Sequence, residues 1–165
     1  MPNQNHYIRV EFLFNLMELE LVQHKSAGGI ILYLGDHKLI YRNVILVNQI
    51  KDDSWSFPKG HIDDEEDVLE AAEREIFEET GIHGDNLKLE KRFEDYFRFH
   101  GNTKELKQIT LFHFTTEQYH LIPQDMFNPK ALWTPLEETA KKLTNPVDQN
   151  FFLQHQNYLE TFIYS

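Results

Sequence analysis

The 165-residue chain contains no cysteine. That excludes disulfides, thiolate metal sites and a cysteine nucleophile, and it leaves a reducing compartment acceptable, so the cytoplasm is the expected location. An excess of basic residues is also missing: 16 Lys and Arg stand against 27 Asp and Glu, a formal net charge of −11. No global field draws such a protein to nucleic acid or to an anionic membrane, and nucleic acid is not an expected partner. A phosphate-bearing ligand has to be held by local cations. Long apolar runs are missing too. The stretch Val10–Met17 is interrupted by Glu11 and followed by Glu18 and Glu20. With no basic n-region or small-residue cleavage site, neither a signal peptide nor a membrane span is expected there. Met17 reads as an alternative start or as the beginning of the domain proper, and residues 1–20 are left unassigned. There are no internal repeats, low-complexity tracts or linkers. At 41 % hydrophobic residues the remainder, 21–165, suits one compact domain with its own core.

What the chain does have is clear alternation of element types. Ala27-Gly-Gly-Ile-Ile-Leu-Tyr-Leu, Lys38-Leu-Ile-Tyr and Val44-Ile-Leu-Val are β-branched runs broken by Gly35-Asp36-His37, which predicts strands and a hairpin. A helix is predicted from about Glu65 to Glu79, with Gly81 as its C-terminal cap. Leu87 to Phe99 and Leu106 to Thr116 read as two further strands around the turn-like His100-Gly-Asn-Thr, and Ala131-Leu-Trp133 as a short one. Thr134-Pro135 supplies a cap and N1 proline for a helix through Leu143, and Asn145-Pro146 repeats that signal before a last helix at roughly 147–161. Phe151, Phe152, Leu153, Tyr158, Leu159 and Phe162 would be its buried face. The fold class is α+β, a mixed sheet flanked by helices.

The helix is where chemistry concentrates. Ten acids lie between Asp63 and Glu79 against a single base, Arg74. With Glu75 at zero and about 100° per residue, Glu78 falls near −60° and Glu79 near +40°, while Leu69, Ala72 and Ile76 fall between roughly 60° and 120°. Three carboxylates therefore share a narrow face beside an apolar stripe. Arg74 is four residues from both Glu70 and Glu78 and can pair with each. Unit charges about 4 Å apart repel by roughly 1 kcal/mol in water and roughly 4 kcal/mol at an effective dielectric near 20. Some of these acids are protonated, or a cation sits among them. Clustered carboxylates suit Mg²⁺ or Mn²⁺, with a neighbouring glutamate available as proton acceptor. A solvated acidic helix without a ligand is the alternative. None of the nine histidines forms a His-x3-His pair, so a transition-metal site is not indicated.

Gly60, five residues, Glu66, seven residues, and then Arg74-Glu75-Ile76-Phe77-Glu78-Glu79-Thr80-Gly81-Ile82 resemble the Nudix box, Gly-x5-Glu-x7-Arg-Glu-U-x-Glu-Glu-x-Gly-U, at every defined position. The flanking strands and last helix also resemble the Nudix α/β/α sandwich, from about Lys25 to Phe162. The resemblance implies metal-dependent hydrolysis of a nucleoside diphosphate linked to another moiety. It implies Glu75, Glu78 and Glu79 as metal ligands with the Gly60 backbone close to the metal, Glu75 as a candidate base, and Arg74 and Glu66 as residues that orient them. The lead-in Trp55-Ser-Phe-Pro-Lys-Gly-His is similar to that of asymmetric dinucleoside tetraphosphate hydrolases, which release ATP and AMP from diadenosine tetraphosphate. That similarity implies Tyr96 for base stacking and Lys107 for phosphate, with Lys59 and His61 also within reach of phosphate. Many relatives supply one more glutamate from the loop before the last short strand; here Ile122-Pro-Gln-Asp-Met-Phe-Asn-Pro offers only Asp125, which leaves the base open between Glu75, Asp125 and another acid. Nucleoside triphosphates, nucleotide sugars, diphosphoinositol phosphates and RNA 5′ ends are rival substrates. A non-catalytic nucleotide sensor is the reading from another class. The oligomeric state is not legible.

Overall fold

The computed structural model describes residues 21–36, 42–99, 103–127 and 129–162. The expected strand at 38–41, the turn residues 100–102 and the unassigned segment 1–20 lie outside them. Among the described residues, β1 (Val22–Tyr33), β2 (Asn43–Gln49), β3 (Ser54–Ser56), β4 (Lys59–His61), β5 (Lys88–Arg92), β6 (Tyr96–Phe99), β7 (Leu106–Thr116) and β8 (Lys130–Pro135) form one mixed sheet. Helix α1 (Val68–Thr80) covers one face; α2 (Leu136–Lys142) and α3 (Pro146–Thr161) cover the other.

The sheet is built on the parallel pair β1 and β7, in register from His24 opposite Lys107 to Tyr33 opposite Thr116. A parallel pair at the centre of a sheet is buried on both faces, which is why these strands read as nearly continuous apolar runs. Their side chains still alternate. Ile30 and Leu32 of β1, with Ile109 and Leu111 of β7, enter the core under α2 and α3 alongside Phe57, Phe93, Phe151, Phe152 and Leu159. Ala27, Ile31, Phe112 and Phe114 enter the core under α1 with Ala71, Ala72 and Ile76. The α/β/α sandwich follows from that two-sided patterning.

Local chemistry sets the element ends, and several differ from the sequence reading. Helix α1 starts at Val68 rather than Glu65 because the Asp67 carboxylate accepts the N–H groups of Leu69 and Glu70 and so acts as the N-cap. Asp63 to Glu66 are loop, with Glu65 at φ 66°. The run 87–99 divides into β5 and β6 because the Asp95 carboxylate accepts from Arg92, Gln108 and Thr110 between them. β8 continues through Pro135, so Thr134 is a strand residue and α2 begins at Leu136 with no side-chain cap. In α3, capped by Asn145, Phe151, Phe152 and Leu159 are buried, whereas Leu153 is 55 % exposed and faces solvent.

The carboxyl end of α1 matters most for the site. Gly81 closes it at φ 77°, a conformation that costs other residues about 1–2 kcal/mol. A Cβ there would also collide with the Ile122 carbonyl. The freed carbonyls of the last turn are taken up by the 121–127 loop: the Ile122 N–H donates to Thr80 O, and the Gln124 and Asp125 N–H groups to Glu78 O. Gly81→Ala is therefore expected to lower stability by about 1–2 kcal/mol, read in thermal unfolding. An unchanged Tm would mean that this loop does not rest on the helix end.

Candidate active site

The buried stripe of α1 runs through Ala71, Ala72, Ile76, Glu79 and Thr80. It passes through Glu79, not beside it. Glu79 is 7 % exposed. One of its oxygens accepts the Lys59 main-chain N–H at 3.0 Å and the other accepts Gln49 Nε2 at 2.9 Å. These partners do not offset the loss of water, and burial pushes the carboxyl up to about 7. Glu75, one turn earlier and half-buried, is also raised, chiefly by burial and against the pull of Arg74. Its carboxyl lies where a side chain at residue 60 would be, since a Cβ on Gly60 would overlap it. That close approach is the physical reason for glycine at this position. Glu78 is more open, with 43 % of its side chain exposed.

Arg74 braces the group from the outer side. Its Nε and Nη2 take the two oxygens of Glu66 at 2.8 and 2.9 Å, a bidentate pair. Nη1 donates to Glu75 at 2.8 Å and reaches Glu78 at 3.5 Å, and Nη2 also donates to the His61 carbonyl at 2.9 Å. Glu66 accepts the Asp63 N–H at 3.0 Å and is held below the usual carboxylate range by Arg74. Of the two partners that helical spacing offered Arg74, only Glu78 is within reach, because the guanidinium points toward β4 rather than back along α1 to Glu70. Glu66 thus fixes Arg74, and Arg74 fixes both Glu75 and the backbone of β4.

A second group of charges stands on the α3 side of β4. Lys107 lies directly opposite Arg98 in the β6–β7 pair, and both feel Lys59 or its neighbours electrostatically. Lys107 is 8 % exposed. Burial, with Lys59 and Arg98 nearby, pushes its ammonium down to about 8. Lys59 is lowered too, chiefly by burial, against the opposing pull of Asp148. Asp148 is fully buried and accepts Arg98 Nη1 at 2.8 Å and the Tyr96 hydroxyl at 2.7 Å. Lys59, Lys107 and Arg98 thus gather near Asp148, and Lys59 also feels Glu79 and Glu75. Sequence reasoning missed Arg98, Asp148 and Gln49. A signal existed for Asp148, which precedes Phe151 and Phe152 by three and four residues and so sits on the apolar stripe of α3.

Other expected site residues take different places. Tyr96, expected to stack on a base, is 9 % exposed, bonded to Asp148 and stacked on Phe151 at 4.3 Å between ring centroids. Its ring belongs to the core. The exposed His61 ring makes an edge contact with His24 at 5.7 Å, while the His61 carbonyl serves Arg74. Asp125 spends one carboxylate oxygen on the Phe127 N–H at 3.0 Å, closing its own turn. Among the described residues no three acidic or histidine side chains converge on one point. Arg74 draws Glu75 one way, and Lys59 and Gln49 draw Glu79 another. The donor set nevertheless fits a hard divalent ion, being carboxylate oxygens of which two are raised by burial, a cost that a bound cation offsets.

A family model described as NUDIX domain matches residues 22–155. An RNA pyrophosphohydrolase of Bartonella bacilliformis is 38 % identical over 65 residues, 39 % of this chain and 34 % of that protein. The chain spans about a third to a little over half of the curated relatives it matches. Among solved structures, a C. elegans Ap4A hydrolase in a binary complex superimposes with a TM-score of 0.70 at 21 % identity, over 84 % of this chain and 98 % of that one. The NUDIX domain of Shewanella oneidensis NrtR complexed with ADP ribose gives 0.65 at 14 % identity, over 84 % and 89 %. At these identities the structural likeness speaks for the fold alone. With the family model covering most of its length, the chain belongs to the Nudix family.

Proposed function

We propose that this chain is a divalent-metal-dependent pyrophosphohydrolase that cleaves a phosphoanhydride bond of a nucleoside diphosphate derivative. Diadenosine tetraphosphate is the favoured substrate and ATP and AMP its products. One observation carries the reading: an acidic helix face and a three-cation cluster meet at β4, where the Lys59 main chain holds Glu79 and its side chain faces Asp148, Glu79 and Glu75. A polyphosphate bridged to a metal needs both kinds of charge in one cleft.

Glu75, Glu78 and Glu79 would hold Mg²⁺ or Mn²⁺ together with the Gly60 backbone. Bound there, the ion lowers the pKa of water and stabilises negative charge on phosphoryl oxygens. In the reaction a water oxygen bonds to phosphorus, the bridging P–O bond breaks, and the electron pair leaves on the departing phosphate. The proton of the water passes to a carboxylate. Glu75 and Glu79 are the candidate acceptors, both raised by burial. Asp125 is committed to its own turn. Arg74 and Glu66 keep Glu75 aimed at β4, and Lys59, Arg98 and Lys107 hold the phosphates not being cleaved.

The lead-in from Trp55 to His61 supports the dinucleoside polyphosphate over the other substrates of the family. The curated relative named as an RNA pyrophosphohydrolase supports the RNA 5′ end as the rival, against which the −11 charge weighs. A substrate panel with Mg²⁺, resolved by chromatography, separates them: ATP plus AMP from diadenosine tetraphosphate is expected, and pyrophosphate from RNA 5′ ends with no attack on the dinucleotide would reverse the choice. Tight nucleotide binding without hydrolysis would favour a sensor. Glu79→Gln is expected to cost at least about 100-fold in turnover while the domain stays folded, and unchanged turnover would remove the acidic face from catalysis.

Metal binding also has a pH signature. Burial raises Glu79 from 4.5 to about 7, so its contribution to stability is present below about pH 4.5 and is lost as pH rises through 7. The loss amounts to about 3 kcal/mol by pH 8. A cation restores it by favouring the ionised form. The Mg²⁺-induced rise in Tm is therefore expected to be small at pH 5.5 and several degrees larger at pH 8, measured by calorimetry. Equal shifts at the two pH values would contradict the assignment.

A further inference from the structure

Arg98 and Lys107 are directly opposed across β6 and β7, and Lys59 approaches from β4. Like charges directly across a strand pair destabilise it. Nothing in the sheet itself relieves that repulsion. The relief comes from another element: Asp148, in the first turn of α3, enters with no solvent exposure. One oxygen takes Arg98 Nη1 at 2.8 Å and the other takes the Tyr96 hydroxyl at 2.7 Å. Tyr96 and Arg98 are two apart on β6 and so present to the same face. Asp148 therefore grips the strand at two successive inward positions.

Asp148 is the one acid among them that bonds to a cation of the group, while Lys59 also feels Glu79 and Glu75, and Lys107 feels Glu75. Among the described residues the Lys59 and Lys107 ammonium groups have no hydrogen-bond partner, while Arg98 has Asp148. Lys59 and Lys107 thus lie between Asp148 and the acidic face of α1, with donors left for a further ligand. Three neighbouring cations with free donors suit an anion of high charge density, which is the chemistry of a polyphosphate chain.

Building on the hydrolase reading, we propose that Asp148 is a positioning residue that holds Arg98, through a buried ion pair, as the fixed member of a three-cation grip on the substrate's polyphosphate chain. It touches neither substrate nor metal. Its carboxylate aims the guanidinium, shields it from Lys107 and ties β6 to α3, so the grip is assembled before the substrate arrives. Arg98 then offers its remaining N–H groups to phosphate while Lys59 and Lys107 act as point charges.

The test is tripolyphosphate binding by calorimetry in EDTA, with the wild-type chain, Asp148→Asn, Arg98→Met and the double variant, each checked for a cooperative melt. The wild type is expected to bind, each single variant to bind about tenfold more weakly, and the double variant to be no worse than the weaker single one, because Asp148 acts through Arg98. On the substrate that the panel identifies, folded Asp148→Asn is expected to raise KM about tenfold with kcat within about threefold. Absence of wild-type binding, unchanged binding in folded Asp148→Asn, additive losses in the double variant, or a fall in kcat at constant KM would each overturn the proposal. Should Asp148→Asn not fold, Arg98→Met alone decides it, since unchanged tripolyphosphate binding there removes the grip. The binding arm needs no turnover, so a chain that hydrolyses nothing yet shows this pattern would sink the hydrolase reading and keep the grip.

Discussion

Glu79 carries the conflict on which the site depends. Its place in the buried stripe of α1 takes it out of water, while the Lys59 N–H and Gln49 at 3.0 and 2.9 Å favour its charged form. Burial dominates, and the carboxyl is held near neutrality at ordinary pH. The same contact ties α1 to β4, which fixes where Gly60 lies, and Gly60 leaves the space that Glu75 fills. A helix end, a three-residue strand and two carboxylates are positioned by one buried acid. A fold stabilised only for its own sake would place an apolar residue there. The destabilisation is localised where a cation can reverse it, as expected where function and stability compete.

The cationic side of the cleft shows the same logic with signs inverted. Lys107 is nearly as buried as Glu79, and its ammonium is lowered to about 8. In each half burial works against the charged form of a side chain. The halves are separated by β4, whose alternating residues serve both: Lys59 belongs to the cations and Gly60 to the carboxylates. A ligand that carries its own phosphates and brings a divalent ion complements both halves at once.

Some of this was readable along the chain. Arg74, Glu75, Glu78, Glu79 and Gly81 lie within eight residues, and helical geometry brings such residues together without help from the rest of the fold. Glu66 and Gly60 were legible through their spacing to that run. The start of α1 was not, because five acids from Asp63 to Asp67 all looked like first-turn residues and only geometry selects Asp67 as the cap. The break between β5 and β6 depends on Asp95 meeting Gln108 and Thr110 on another strand, a long-range contact. Arg98 and Asp148 are 50 positions apart, and neither residue has a local partner that would announce the pair. Tyr96 was legible as important but assigned the wrong surroundings, since whether an aromatic ring on a strand faces solvent or core is decided by the helix that covers it. Here that helix is α3, through Phe151.

The central claim is that Glu79 is poised near neutrality by burial and becomes an ionised ligand when a divalent cation arrives. The direct measurement is the carboxyl ¹³C titration of Glu79 by NMR, without and with saturating Mg²⁺. An apparent pKa near 7 in metal-free protein that falls by at least about two units with Mg²⁺ is the expected result. An ordinary carboxylate pKa in metal-free protein, or an elevated one that Mg²⁺ leaves in place, would contradict it.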